Sequence, residues 1–175
     1  MAESFWADPQ LEPKRAYRWL FFFAGVPQWI VKKVSKPSFD VTDTTHDFLI
    51  HKFHYPGKVE WKEVKVTLAD PVQPDSAATM QRVLEQSGYQ YPLDPNTTAT
   101  ISKANAVGAL GRCMIQQLGA DGESIEEWTL VNAWVKDVTF GELDYSSDEM
   151  VNVELTIVYD WAELNSAARA RAAGG

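Results

Sequence analysis

The sequence predicts a mainly β protein, an antiparallel sandwich or barrel with one flanking helix. Three observations carry that expectation. From Val151 to Trp161 the odd positions (Val151, Val153, Leu155, Ile157, Tyr159, Trp161) are apolar or aromatic and alternate with Asn152, Glu154, Thr156, Val158 and Asp160. A period of two held this long is the mark of a strand with one buried face, here spanning roughly 36 Å. Asp121-Gly122 and Pro56-Gly57 punctuate apolar runs as hairpin turns do. Seven Trp, eight Phe and six Tyr make a heavy aromatic load, which favours strands and interfaces.

The elements follow in chain order. Residues 1–14 carry two prolines and several charges and read as an N-terminal arm. RAYRWLFFFAG reads as a strand buried on both sides, with Tyr17, Trp19, Phe21 and Phe23 on one face and Leu20, Phe22 and Ala24 on the other. Gly25-Val26-Pro27 turns the chain into a shorter strand, QWIVKKVSKP, closed by Pro37. Residues 46–54 and 59–68 flank Tyr55-Pro56-Gly57-Lys58, which predicts a long hairpin with its turn there. The apolar phase then shifts from odd (Val59, Trp61) to even (Val64, Val66, Leu68), placing a bulge at Lys62-Glu63.

One helix is expected over about 76–87. Asp75 can cap it, Ala77, Met80, Leu84 and Ser87 share a face, and Gly88 sits where a C-cap belongs. YPLDPNTT reads as a loop. Residues 107–118 and 124–140 read as strands around the Ala120–Glu123 turn. The alanine-rich, basic end, 165–175, reads as a frayed tail, leaving 15–164 as one β-domain.

The chemistry of the chain narrows its function. Of 175 residues, 45% are hydrophobic, enough for one domain with a sizeable core. A net charge of −8 is the reverse of what gripping nucleic acid requires. A lone cysteine, Cys113, rules out an intramolecular disulfide or thiolate cluster and reads as a buried hydrophobe. The N-terminus lacks a signal-peptide pattern, and the longest apolar run, residues 19–26, is far short of a membrane span. No membrane insertion of the subunit is expected.

Within one strand, His46 and His54 would face one way, about 26 Å apart, and His51 the other, a poor metal set. No G-x-S-x-G elbow, P-loop or H-E-x-x-H motif is present. A dispersed Ser/His/Asp triad would leave no local trace. Glu126-Glu127 and Asp148-Glu149 read as solvated surface charge. No catalytic, cofactor or metal residue is therefore assigned, and an enzyme is not expected. Two basic groups, Lys14, Arg15, Arg18 and Lys32, Lys33, Lys36, read either as solvated strand ends or as complements to acidic groups on another copy.

Several stretches together carry a resemblance: RAYRWLFFFAGVPQWIVKKVSKPSF, HKFHYPGKVEWKEVKVTLADP, the helix, and VNAWVKDVTFGELDYSSDEMVNVELTIVYDW. In order and content, over roughly residues 15–164, they resemble the tail tube proteins of contractile-tailed bacteriophages. The resemblance implies a β-sandwich-like subunit forming six-membered rings that stack into a tube within a sheath. It implies sheets joining across subunits into one large barrel around a channel, an architecture shared with the haemolysin-coregulated proteins of secretion systems. It implies passage of the phage genome, no cofactor and no catalysis. The expected partners are other copies, the sheath, the baseplate, the tape-measure protein and DNA passing without tight binding. The expected location is the virion tail, assembled in the host cytoplasm.

On that reading the long strand is a stave of a shared barrel, and pairing across subunits covers its edges. Its polar face (Asn152, Glu154, Thr156), with Glu63, Lys65 and Thr67, looks either into the channel or into bulk water. A ring of six would carry six times the net charge of −8, so an acidic wall would not hold DNA. The hairpin residues Phe53, Tyr55, Pro56, Gly57 and Trp61 are the expected ring-to-ring contact. A monomeric β-barrel with aromatics around a small-molecule pocket is the competing reading, a hydrolase with a dispersed site is a weaker third, and a secretion-system tube is the alternative to a phage tail.

Overall fold

The computed structural model describes residues 12–166. The expected arm and tail lie mostly outside that range. Among the described residues, ten strands form two four-stranded antiparallel sheets and a separate two-stranded ribbon. The first sheet runs β1 (Trp19–Phe22), β6 (Cys113–Leu118), β7 (Ser124–Val131), β10 (Trp161–Ser166). The second runs β2 (Val31–Val34), β5 (Val64–Ala69), β9 (Asn152–Val158), β8 (Trp134–Thr139). The ribbon is β3 (Ser38–Phe48) and β4 (His51–Lys62).

Alternation explains the core. In β5, Val64, Val66 and Leu68 point inward, and in β9, Val153, Leu155 and Ile157 oppose them. Phe21, Ile115 and Leu130 answer from the first sheet. Burial of each such side chain stabilises by about 1.5–3 kcal/mol. Cys113 lies fully in this core, where burial raises its thiol pKa to about 12, as the sequence led us to expect.

The expected helix is present as α1 (Ser76–Gln86). The Asp75 carboxylate accepts from the Ala78 amide at 2.9 Å, and Gly88 follows with φ +108°. Met80 and Val83 turn into the core. Asp75→Ala is expected to cost about 1 kcal/mol, read as a lower thermal midpoint.

Five expectations are corrected. A second helix, α2 (Lys103–Leu110), occupies part of the stretch read as a strand from 107. Ser102 caps it, Gly111 (φ +70°) ends it, and Leu110 is fully buried. The flanking helices are therefore two, packed on each other, with α2 against β8.

The eleven-residue alternating stretch is two elements rather than one stave. Burial alternates through Asp160, then the phase breaks at Trp161, which is exposed where alternation would bury it, and β10 begins in the other sheet. Residues 124–140 split likewise, with Asn132 at φ +53° and Ala133 between β7 and β8. The two crossings meet. The Asp160 amide donates to the Val131 carbonyl at 3.0 Å, and Asn132 Nδ2 donates to the Asp160 carboxylate at 2.7 Å. Lys103 and Asn132 hold that carboxyl below the ordinary range. Finally, β10 continues to Ser166, past the expected end of the domain at 164. At Glu63, where a bulge was expected, the chain leaves the ribbon and enters β5.

Candidate functional site

The ribbon turns at Leu49-Ile50, not at Pro56-Gly57. Leu49 takes φ +57°, and both tip residues are about nine-tenths exposed (87% and 93%). Pro56 and Gly57 lie within β4. A two-stranded ribbon leaves each strand one open edge, where a proline's missing donor costs no ladder bond. Gly57 serves a bulge. Val41 faces Val59 and Asp43 faces Pro56, so Thr42 stands opposite both Gly57 and Lys58. The Lys58 amide donates to Thr42 Oγ1 at 2.8 Å. A Cβ at Gly57 would lie 2.3 Å from Thr42 Oγ1 and 3.0 Å from its carbonyl oxygen. Gly57→Val is expected to open the ribbon here. Limited proteolysis between residues 39 and 61 should accelerate severalfold while the thermal midpoint of the core stays in place.

Because the extra residue sits in β4, the pairing register assigns each ribbon side chain to a face. Phe39, Trp61, Val41, Val59, Pro56, Asp43 and His54 share one face. Asp40, Glu60, Tyr55, Phe53, His46, Phe48 and His51 share the other. His54 Nδ1 lies 2.6 Å from the Asp43 carboxylate, as that assignment requires. His46 and His51 thus share a face and His54 opposes them, which reverses the sequence-based orientation because the turn falls between His46 and His51. Among the described residues, no three His, Cys, Asp or Glu side chains group to hold a metal ion.

Of the expected stacking residues, Phe53 and Tyr55 are exposed on the outer half, and Pro56 and Gly57 flank the bulge. Trp61 is different. It is half-buried at the base, between Phe39 (ring centroids 5.3 Å) and Tyr159 (6.1 Å), and ties the ribbon to the core.

The proposed channel-facing residues do come together. Pairing aligns Lys65 with Thr156, Thr67 with Glu154, and Ala69 with Asn152 on the outer face of the second sheet. Lys33 extends the Thr67–Glu154 row on one side and Thr139 on the other. Glu63 joins through an ion pair to Lys136, and Lys32 reaches Asn152 Oδ1 at 2.9 Å. This face holds Lys32, Lys33, Lys65 and Lys136 beside Glu63, Asp137 and Glu154. The acidic wall expected from net charge is not found here, because lysines on β2, β5 and β8 offset the carboxylates. Part of the acid excess lies instead in the exposed 141–150 loop, with Glu142, Asp144, Asp148 and Glu149.

The six basic residues do not form one patch. Arg18 contacts Glu12 at 3.0 Å, and Arg15 approaches it at 4.0 Å. Lys14 and Lys36 converge on Glu126, Lys36 at 2.8 Å. Glu126, read from sequence as solvated charge, is buried, its side chain 7% exposed. Trp128 Nε1 donates to it at 2.5 Å. Burial pushes its pKa up, but Lys14, Lys36 and Trp128 outweigh that and hold it down at about 2. This node pins residue 14 and the β2–β3 connection to the first sheet. The sequence signal was parity. Glu126 shares its phase with Trp128 and Leu130, and so faces inward.

No family model and no curated protein matches the sequence. Solved structures do match. A chain of the anti-feeding prophage baseplate, a six-fold symmetrised cryo-EM structure, superposes with a TM-score of 0.64 at 19% identity. The match covers 89% of this chain and 97% of that one. The chain has the fold of a contractile injection system component. A chain from the sheath–tube complex of the extracellular contractile injection system PVC, in its extended state, gives 0.63 at 16% identity, covering 95% and 100%. One from the anti-feeding prophage tube-terminating cap gives 0.61 at 18%, covering 90% and 93%. Among the described residues, no helix of this injection-system fold is long and apolar enough to cross a membrane.

Proposed function

We propose that the chain is a structural tube subunit that assembles with copies of itself into hexameric rings stacked as the inner tube of a contractile particle. The observation that carries this is the ribbon. It stands away from both sheets and exposes Phe39, Val41, Phe48, Leu49, Ile50, Phe53, Tyr55 and Val59. An isolated two-stranded ribbon is marginal in water, and so much uncovered apolar surface marks an interaction site. Among the described residues, the sheets add open edges at β1, β2 and β8, suited to pairing across subunits into a shared barrel.

In this reading the outer face of the second sheet (Lys65, Thr67, Asn152, Glu154, Thr156) lines the bore, and its balance of charges gives passing DNA little to grip. The ribbon mediates ring stacking. Sheath, baseplate and tape-measure proteins are the partners, and the virion tail, built in the host cytoplasm, is the location. The similar structures, from a baseplate, a sheath–tube complex and a tube-terminating cap, support the tube over the small-molecule barrel. So does the packed interior: Phe21, Leu68, Ile115, Leu155 and Ile157 fill the space a ligand barrel would keep open. An extracellular or secretion-type injection tube is the second reading, favoured by the match to the PVC complex.

Negative-stain microscopy of concentrated purified protein tests the proposal. Hollow rings or tubes with six-fold end views are the expected result; dispersed small particles at every concentration overturn it.

A further inference from the structure

The ribbon's apolar residues are not all on one side. Below the bulge, Phe39, Val41 and Val59 are exposed on one face, continuous with Trp61 at the base. Beyond the bulge, Phe48, Phe53 and Tyr55 are exposed on the opposite face. The bulge marks the change. Below it the second face carries Asp40, Glu60 and Lys62; beyond it the first face carries Asp43, His54, Asp47 and Lys52. A flat surface covers one face of a ribbon, so one flat partner leaves half of the apolar residues in water.

The edges say what the partners are. β3 carries Asp40, Asp43 and Asp47 and no Lys or Arg, while β4 carries Lys52, Lys58 and Lys62 against Glu60. Among the described residues, each strand has its outer edge open. In a row of identical ribbons, each acidic strand lies beside the basic strand of the next. A head-to-tail contact of this kind repeats and closes into rings. Lys62 and His54 hold Asp40 and Asp43 at exposed sites within one ribbon, and a second copy presents the same pairs for exchange across the edge.

We propose that each ribbon touches two different neighbouring copies of this chain at once, one through the inner half on the first face and one through the outer half on the second, with the Gly57-Lys58 bulge setting the crossover. This rests on the tube reading above and adds to it that no single neighbour accounts for the contact.

Photocrosslinking tests it. Benzoylphenylalanine replaces Val41, Phe53 or both, and each substituted chain is diluted into excess unsubstituted chain before assembly and irradiation. Single substitutions are expected to give two-chain adducts. The double substitution is expected to add a three-chain adduct, with different partner peptides on the two arms. Two-chain adducts alone from the double substitution, at yields where each single site crosslinks well, overturn this inference and leave the tube intact. So do assembled tubes with no interchain adduct from either site. Failure of the unsubstituted chain to assemble overturns the tube reading and this inference with it.

Discussion

Glu126→Gln is expected to lower the unfolding free energy by about 2–3 kcal/mol at neutral pH, and the loss is expected to vanish in acid. The carboxyl's pKa lies at about 2 in the folded protein against an ordinary 4.5. A shift of that size corresponds to about 3 kcal/mol, and the half-exposed lysines argue for the lower part of the range. The sign follows from linkage. A depressed folded-state pKa contributes stability that is fully present above about pH 4.5 and is lost as the pH falls toward 2. Urea unfolding of both proteins between pH 7 and 2 should give two curves, parallel above pH 5 and converging near pH 2. A gap that stayed constant across that interval would show that the Glu126 charge is not what Lys14 and Lys36 hold.

Deleting residues 43–56, which joins Thr42 to Gly57, is expected to abolish assembly while leaving the fold in place. The excised half of the ribbon carries exposed Phe48, Leu49, Ile50, Phe53 and Tyr55, and none of these belongs to the core cluster. The Phe39–Trp61–Tyr159 contact at the base is retained. The thermal midpoint should move by no more than a few degrees, the shift that about 1 kcal/mol produces in a domain of this size. Sedimentation should find a single monomeric species at concentrations where the full chain forms rings or tubes. Tubes of normal length from the shortened chain would remove the ribbon from the assembly contact.

Much of the core was legible because period-two burial is a local signal: Val64, Val66 and Leu68, and Val153, Leu155 and Ile157, point where alternation puts them. The helix at Asp75 was legible because its cap and its terminal glycine are local as well. What was missed depends on tertiary context. Leu49-Ile50 has no turn chemistry, and a bulky residue at φ +57° is one that sequence rules argue against. Pro56-Gly57 has strong turn chemistry but is spent on a bulge in an open-edged strand. KANAVGAL, short and nearly uniform in polarity, with Gly108 inside, gives α2 no amphipathic stripe. The changes of sheet at Ala133 and Asp160 carry no glycine or proline. The site showed the same division. The outward residues of β5 and β9 were grouped as they pair, but Glu126 was read as solvated charge because carboxylates are rarely buried, although its parity with Trp128 and Leu130 points inward.

The paired corners of the sandwich have a mechanical meaning. β7 continues into β8 and β9 into β10, each passing from one layer to the other, and Asn132 and Asp160 tie the two passages together. Neither layer can slide over the other without tearing that knot. A thrust applied to either sheet is delivered to both, so the subunit answers compression as a solid brick rather than as two leaves free to shear.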